Sequence, residues 1–342
     1  MKWYNMLGDN MNKYPFQITD EILNKVAEIS QLVGQVSVSS SLSSNPTLRR
    51  TNRINTIYSS LAIEQNTLSI DQVTAVISGK RVIAPPKDIA EVKNAYEIYE
   101  HLDELNPYSV DSLLFAHSIM MRDLVSESGA FRSKPVGVVD SKGNVLHFGT
   151  LPRYVPDLVA DLLEWTENSE LPMLIKSCVF HYEFEVIHPF ADGNGRIGRL
   201  WHTLLLSKWN SIFAWIPVES IIHDRQVEYY NAINASNDTA ESTAFIEFML
   251  SAIEEALLEV SQGSKPVKNS TNKNDYRWSI VSDFLDSHEY IMNADLRDLL
   301  NVSSATANRI LSGFVNDGKL LKIRVGKTWA YSKISRFLTT TC

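Results

Sequence analysis

Apolar positions recur every three to four residues over most of this chain, the period of helices that bury one face. Residues 48–65 place Ile54, Ile57, Tyr58 and Leu61 on one such stripe. The same period predicts helices over 88–104, 109–124, 155–167, 172–187, 194–209, 225–235 and 240–260. Residues 135–148, PVGVVDSKGNVLHF, break it. Two short β-type runs there flank Asp140-Ser141-Lys142-Gly143-Asn144, which is hairpin chemistry. A lone hairpin on a helical body cannot make a core sheet, so it is expected to act as a flap. Two polar stretches read as joints: 37–47, with six serines, an Asn and a Pro, and 261–275, polar and basic with Gly and Pro. Beyond the second, 278–286 and 293–301 read as helices, and a third runs from Ser303 to about Asn316. Leu320–Val325, Gly326-Lys327 and Thr328–Ser332 then read as strand, turn, strand. Three short helices and a hairpin predict a winged helix-turn-helix, a small α+β domain.

Composition narrows the classes. With 44% hydrophobic and 21% charged residues the chain is globular, and 342 residues suggest two or three domains. A net charge of −8 argues against a chain-wide nucleic-acid coat. Residues 276–338 differ, with nine Lys/Arg against six Asp/Glu. Arg309 on the third helix and Lys322, Arg324 and Lys327 on the wing could touch a DNA backbone. Docking of a protein is the equal alternative for that domain. Two cysteines, Cys178 and Cys342, give no disulfide framework. No window approaches the 18 or so apolar residues of a membrane span, and the first residues lack an apolar leader. A cytoplasmic protein without a membrane partner is expected.

The chemistry concentrates in HPFADGNGRIGR, His188 to Arg199. Pro189 ends the preceding helix. Gly193-Asn194-Gly195 opens the next, offering unpaired backbone N–H groups and the positive end of a helix dipole to an anion. Arg196 and Arg199 lie three apart on one face, and each guanidinium can grip phosphate oxygens bidentately. Asp192 can hold a Mg²⁺ that bridges phosphates. His188 stands at the loop entrance with a side chain able to take a proton from a hydroxyl. Base, metal ligand, anion nest and two cations in one short string point to nucleotide phosphate chemistry.

The string matches HxFx(D/E)GNGRxxR at every specified position, and on it the chain resembles the Fic family. The resemblance covers about residues 48–260. It implies a Fic-type helical core with a hairpin flap, so that with the winged-helix domain read from the pattern beyond the linker a mainly α protein is expected. It also implies transfer of AMP from ATP, with Mg²⁺, to a Ser, Thr or Tyr hydroxyl of a target protein. Some members instead remove AMP or move other phosphate-containing groups. In the family's terms His188 is the general base and Asp192 binds Mg²⁺. Gly193, Asn194 and Gly195 form the anion hole for the α- and β-phosphates. Arg196 holds the phosphates, Arg199 orients the γ-phosphate and Phe190 anchors the loop. The 135–148 hairpin resembles the flap that pairs with a target backbone by β-augmentation. Tyr229, Tyr230 and Asn237, in YYNAINASN, resemble adenine-side residues, with core packing of the tyrosines as the alternative.

Ser60 and Glu64, in SSLAIEQN, share a helix face and resemble the family's inhibitory motif (S/T)xxxE(G/N). That resemblance pairs Glu64 with Arg199. A carboxylate there competes with the γ-phosphate and leaves ATP in a pose unsuited to in-line attack. Gln65 stands where the family has Gly or Asn. The same glutamate could position a water for AMP removal. Expected organisation is an N-terminal region over 1–110 carrying the inhibitory helix, a catalytic core over 111–260, a linker and the winged domain over 276–342. A homodimer or another partner could tune the restraint. A nucleotide-sensing, DNA-binding regulator is the rival from another class, although the intact base His188 favours chemistry. Two other strings are set aside. GFVNDGKL, Gly313 to Leu320, lacks the hydroxyl and the strand-to-helix context of a P-loop. His181, Glu185 and His188 include one E-x-x-H, whereas a di-iron site needs two.

Overall fold

The computed structural model describes residues 13–39, 45–139, 145–148, 150–261, 288–300, 304–316, 319–325 and 328–333, with Trp278, Val281, Ser282, Phe284 and Leu285. The turns expected at 140–144 and 326–327, the linker at 262–275 and the remainder of the 278–286 helix lie outside the described residues.

The chain is mainly helical and divides into two compact units, residues 1–264 and 265–342. Local chemistry sets the helix ends of the first. Helix α1 is Asp20–Ser39. Helix α2, Pro46–Ile63, opens on Asn45, whose side chain accepts the Leu48 N–H, with Pro46 in the first helical position. Helix α3, Ile70–Ile77, opens on a Ser69/Gln72 capping box. Helix α4 is Pro86–Glu100 and α5, capped by Ser109, is Val110–Met120. Strands β1, Gly137–Val139, and β2, Val145–Phe148, pair antiparallel with an irregularity after Val138. Then follow α6 (Val155–Asn168), α7 (Met173–Ile187), α8 (Asn194–Trp209), α9 (Val218–Asp224), α10 (Gln226–Thr239) and α11 (Thr243–Ser261).

One hydrophobic cluster runs from Tyr14 to Val260. Its centre is the α7–α8 pair, where Phe180, Phe184, Ile197 and Trp201 are fully buried. Helices α6 and α11 pack on α7, while α2 packs on α9 and α4 and reaches α8. That last contact brings α2, which carries Ser60, onto α8.

Three helices lie outside the expected set: α1, α3 and α9. The last two are eight and seven residues, too short to display a period. Helix α1 displays one, with Ile22, Ile29, Val33 and Val36 buried, and it packs on α11. It continues to Ser39, so the joint expected from residue 37 begins inside a helix. The region is tied down at its start, where Ser242 N–H donates to Pro15 O (2.9 Å) and Thr19 Oγ1 to Glu247 Oε1 (2.7 Å).

In the second unit, α12 (Asn293–Leu300) and α13 (Ser304–Asn316) precede β3 (Leu320–Val325) and β4 (Thr328–Lys333). The two strands pair antiparallel, and Ile291 bridges to Tyr331 on β4. Val281, Leu285, Ile291, Leu296, Leu311 and Phe314 are among the residues of its own core.

Candidate active site

The loop between α7 and α8 is built on two left-handed residues. His188 closes α7 with φ 51° and ψ 61°, its N–H donating to Phe184 O at 3.0 Å. Gly193, with φ 87°, opens α8. A Cβ there would also lie 2.6 Å from Met121 Sδ, so φ favours glycine and any side chain would have to displace Met121. Between them Phe190 is fully buried. Its N–H donates to Asn194 Oδ1 (2.8 Å) and its carbonyl accepts from Asn194 Nδ2 (2.9 Å), so the Asn194 side chain serves the loop.

His117 of α5 braces the same loop. Its ring stacks on Phe190, with centroids 3.7 Å apart and planes within 4°. Gly129 N–H donates to His117 Nδ1 at 2.9 Å, which puts the ring proton on Nε2, 3.1 Å from Asp192 O. Burial holds this imidazole down to a pKa of about 4. Arg132 also reaches the loop, donating from Nε to His188 O at 2.6 Å.

The arginines define the anion end. Arg196 is buried between two carboxylates, Glu91 Oε1 at 3.1 Å and Asp192 Oδ1 at 2.9 Å. Glu91, on α4, is itself buried and accepts from Asn66 Nδ2 at 2.7 Å. Arg199, also buried, donates from Nη2 to Glu64 Oε1 at 2.7 Å and to Ser60 O at 3.0 Å, and from Nε to Ser60 Oγ at 3.1 Å. Burial opposes the charge on Arg199, but the Glu64 carboxylate, with Tyr229 and Glu185 behind it, raises its pKa. A Cβ on Gly195 would lie 2.3 Å from Glu64 Oε1. The carboxylate therefore sits directly on the first turn of α8, where a helix presents unpaired amides.

The structure thus brings together His188, Asp192, Gly193, Asn194, Gly195, Arg196, Arg199, Ser60 and Glu64. The three residues expected on the adenine side, Tyr229, Tyr230 and Asn237, separate. Tyr229 is buried, its hydroxyl 3.2 Å from His181 Nε2, and packs on Phe245 and Phe248. Tyr230 is 44% exposed and feels the charges of Glu64 and Arg199. Asn237 Oδ1 accepts from the Tyr182 hydroxyl at 2.9 Å. Behind Arg199, Glu185 is pushed up to about 7 by burial; Arg199 pulls it down and Glu64 pushes it up. His181, set aside as a ligand, is fully buried and held well below its ordinary value by burial, His202 and Arg199.

Sequence reasoning misses Glu91, His117 and Arg132. Each lies more than 55 residues from its partner in the loop, and no local spacing marks it. For a divalent cation, Asp192 offers a side chain that is 47% exposed. Among the described residues no group of three or more His, Cys, Asp or Glu could hold a metal alone. One carboxylate plus nucleotide phosphates is a donor set that suits Mg²⁺, which keeps several waters. No described helix is long and apolar enough to cross a membrane.

A family model described as the Fic/DOC family matches residues 107–206. A solved Fic family protein from Desulfovibrio desulfuricans G20 is 39% identical, with a TM-score of 0.71, over 94% of this chain and 98% of that one. Fic-1 of Caenorhabditis elegans shares the fold at 21% identity and a TM-score of 0.59, over 71% of this chain and 73% of that one. The protein adenylyltransferase fic-1 of Caenorhabditis briggsae is 30% identical over 195 residues, which are 53% of this chain and 36% of that protein. A probable protein adenylyltransferase of Aquifex aeolicus is 31% identical over 147 residues, 41% of this chain and 43% of that protein. The chain thus spans between about a third and a half of the length of these curated relatives.

Proposed function

The chain belongs to the Fic family, and on that premise we propose that it is an ATP- and Mg²⁺-dependent protein adenylyltransferase restrained by its own Glu64. The observation that carries the reading is an anion already seated in the nest: the Glu64 carboxylate on Arg199, against Gly195.

In this reading His188 accepts the proton of a target Ser, Thr or Tyr hydroxyl as its oxygen attacks the α-phosphorus. The new P–O bond forms, the bond to the β-phosphate oxygen breaks, and pyrophosphate leaves. The first-turn amides of α8 at Gly193, Asn194 and Gly195 hold the α- and β-phosphates, and Arg196 stabilises the developing charge. Arg199 orients the γ-phosphate once Glu64 withdraws, and Ser60 keeps the guanidinium aimed. Asp192 would hold Mg²⁺, which supplies neutralisation of phosphate charge. Tyr230 and Asn237 are the adenine-side candidates, with Tyr229 as their buried support. Strands β1 and β2 offer backbone to the target. Residues 1–110 serve as the restraining region, 111–260 as the catalytic core and 261–275 as the linker.

We read the second unit as a winged helix-turn-helix that docks a partner. Trp329 on β4 is 52% exposed, with Lys322 and Arg324 over its ring, which suits a nucleic-acid backbone or an acidic protein. Removal of AMP is the second reading of the core. Glu64 favours it because its side chain keeps 31% exposure and could align a water.

The test is incorporation of labelled AMP from α-labelled ATP with Mg²⁺, alone and in a lysate. Strong labelling in Glu64→Gly, weak labelling in the unmodified protein and none in Glu64→Gly with His188→Ala are expected. Absence of labelling in all three, with nucleotide binding intact, would overturn transfer and leave AMP removal or sensing.

A further inference from the structure

Arg132 is 2% exposed, yet among the described residues no carboxylate lies within ion-pair reach of it. Every acceptor of its guanidinium is a backbone carbonyl. Nε donates to His188 O at 2.6 Å and Nη1 to Lys134 O at 3.2 Å. Nη2 donates to Ile187 O at 3.3 Å and to Thr150 O. The Arg132 N–H donates to Pro189 O at 3.0 Å. Burial pulls the guanidinium pKa down, but a group that starts so high stays charged.

A buried cation without a counter-ion is costly, so four carbonyl dipoles have to be aimed at it. They come from three places. Ile187 and His188 belong to the exit of α7, Lys134 to the approach to β1, and Thr150 to the exit of β2. One planar fork thus fixes the residue proposed as the base and both roots of the flap. A lysine, with a compact ammonium, cannot span these directions. His188 needs such a clamp, because a non-glycine residue at φ 51° is strained and persists only when its surroundings fix it.

We propose that Arg132 is a positioning residue for the transfer reaction: it locks His188 in its left-handed conformation and ties the flap to it, so that the presented hydroxyl and the imidazole stay in register. This rests on the transferase reading above. The groups proposed to hold phosphate lie at the start of α8, and among the described residues none of them bonds Arg132. Loss of the clamp therefore affects the chemical step and spares nucleotide binding.

The experiment places Arg132→Ala and Arg132→Lys in the Glu64→Gly background and measures kcat, KM for ATP and equilibrium ATP affinity. A misplacement of the base by about an ångström should lower kcat about 100-fold in Arg132→Ala, with ATP affinity within about twofold. Lysine should recover little. Free guanidinium ion at non-denaturing concentration should restore activity to Arg132→Ala, whereas methylammonium should not. Variants with kcat close to the parent would overturn the proposal. So would a parallel loss of kcat and ATP affinity without guanidinium recovery, which marks a merely structural bolt. A second readout does not depend on activity. The His188 ring resonances, assigned through His188→Ala, should shift in Arg132→Lys, and unchanged resonances would overturn the proposal. A Glu64→Gly parent that fails to label would count against the transferase reading alone, and the resonances would still decide the clamp.

Discussion

The residue after Glu64 shows what a single position contributes. Gln65 adopts φ 66°, and Asn66 N–H reaches back to Leu61 O at 3.0 Å, closing α2 with a left-handed residue. That conformation explains why Gly or Asn is the family's choice here and why Gln is a departure without being a break. The backbone turns as required, at a cost in strain. Gln65→Gly should raise stability by about 1 kcal/mol at most, read as the midpoint of denaturant unfolding, and leave the Glu64–Arg199 pair in place. Destabilisation would show that the Gln65 side chain supplies something the backbone does not. The pair itself was legible only through the resemblance to the family's inhibitory motif, since helical spacing alone does not match Glu64 with Arg199, which it meets at 2.7 Å. The role of Ser60 as a double acceptor for that guanidinium was legible only as a motif letter.

At the scale of elements, the site is the meeting of α2, α4 and α8, and the three were unequally readable. Helix α8 and its entry loop announce themselves, since glycines, prolines and arginines crowd one string. Helix α4 reads as a plain amphipathic helix, and only folding brings Glu91 to Arg196, 105 residues away. Asn66 on the α2 exit bonds the same carboxylate, so the turn after α2 touches both arginines: Arg199 through Glu64 and Arg196 through Glu91. Glu91 leaves Nη2 of Arg196 to Asp192, the contact a phosphate would replace. Removing one charge of a buried pair is costly, so Glu91→Gln should lose on the order of 3 kcal/mol of stability in urea unfolding. Added ATP and Mg²⁺ should restore part of that loss, because phosphate supplies Arg196 with an anion. Helix α1 has regular apolar spacing, but the serine run that reads as a joint begins inside it, which hides its end.

For the whole molecule, buried titratable groups set opposing pH slopes. Burial holds His117 and His202 near 4, below the ordinary 6.5, so the unfolded chain takes up protons first as pH falls through that window. Stability is therefore lost between about pH 6.5 and 4. Burial pushes Glu183 and Glu185 up to about 7 from 4.5, which keeps them neutral in the fold while the unfolded chain ionises. Their contribution is full below pH 4.5 and is lost as pH rises through 7. The slopes largely cancel between pH 4.5 and 6.5. Glu185→Gln should break the balance by raising stability at pH 8 by up to about 3 kcal/mol, with the gain vanishing near pH 4.5. Thermal melts across that range check it, and an equal gain at both ends would show that Glu185 does not titrate with folding. None of this was readable from composition, because a net charge of −8 says nothing about which carboxylates lose their water. The carboxylate seated on α8 carries a last consequence at this scale. On the proposed reading its main contest is with the third phosphate at Arg199, so a nucleotide that lacks one meets less of it. Calorimetry should find ATP bound about 10- to 100-fold more weakly by the unmodified protein than by Glu64→Gly, and ADP weakened by a smaller factor. RT times the logarithm of the ratio of the two ratios is the part of the restraint felt by the third phosphate, measured without turnover, and on the proposed reading the resting protein counts phosphates before it acts on any.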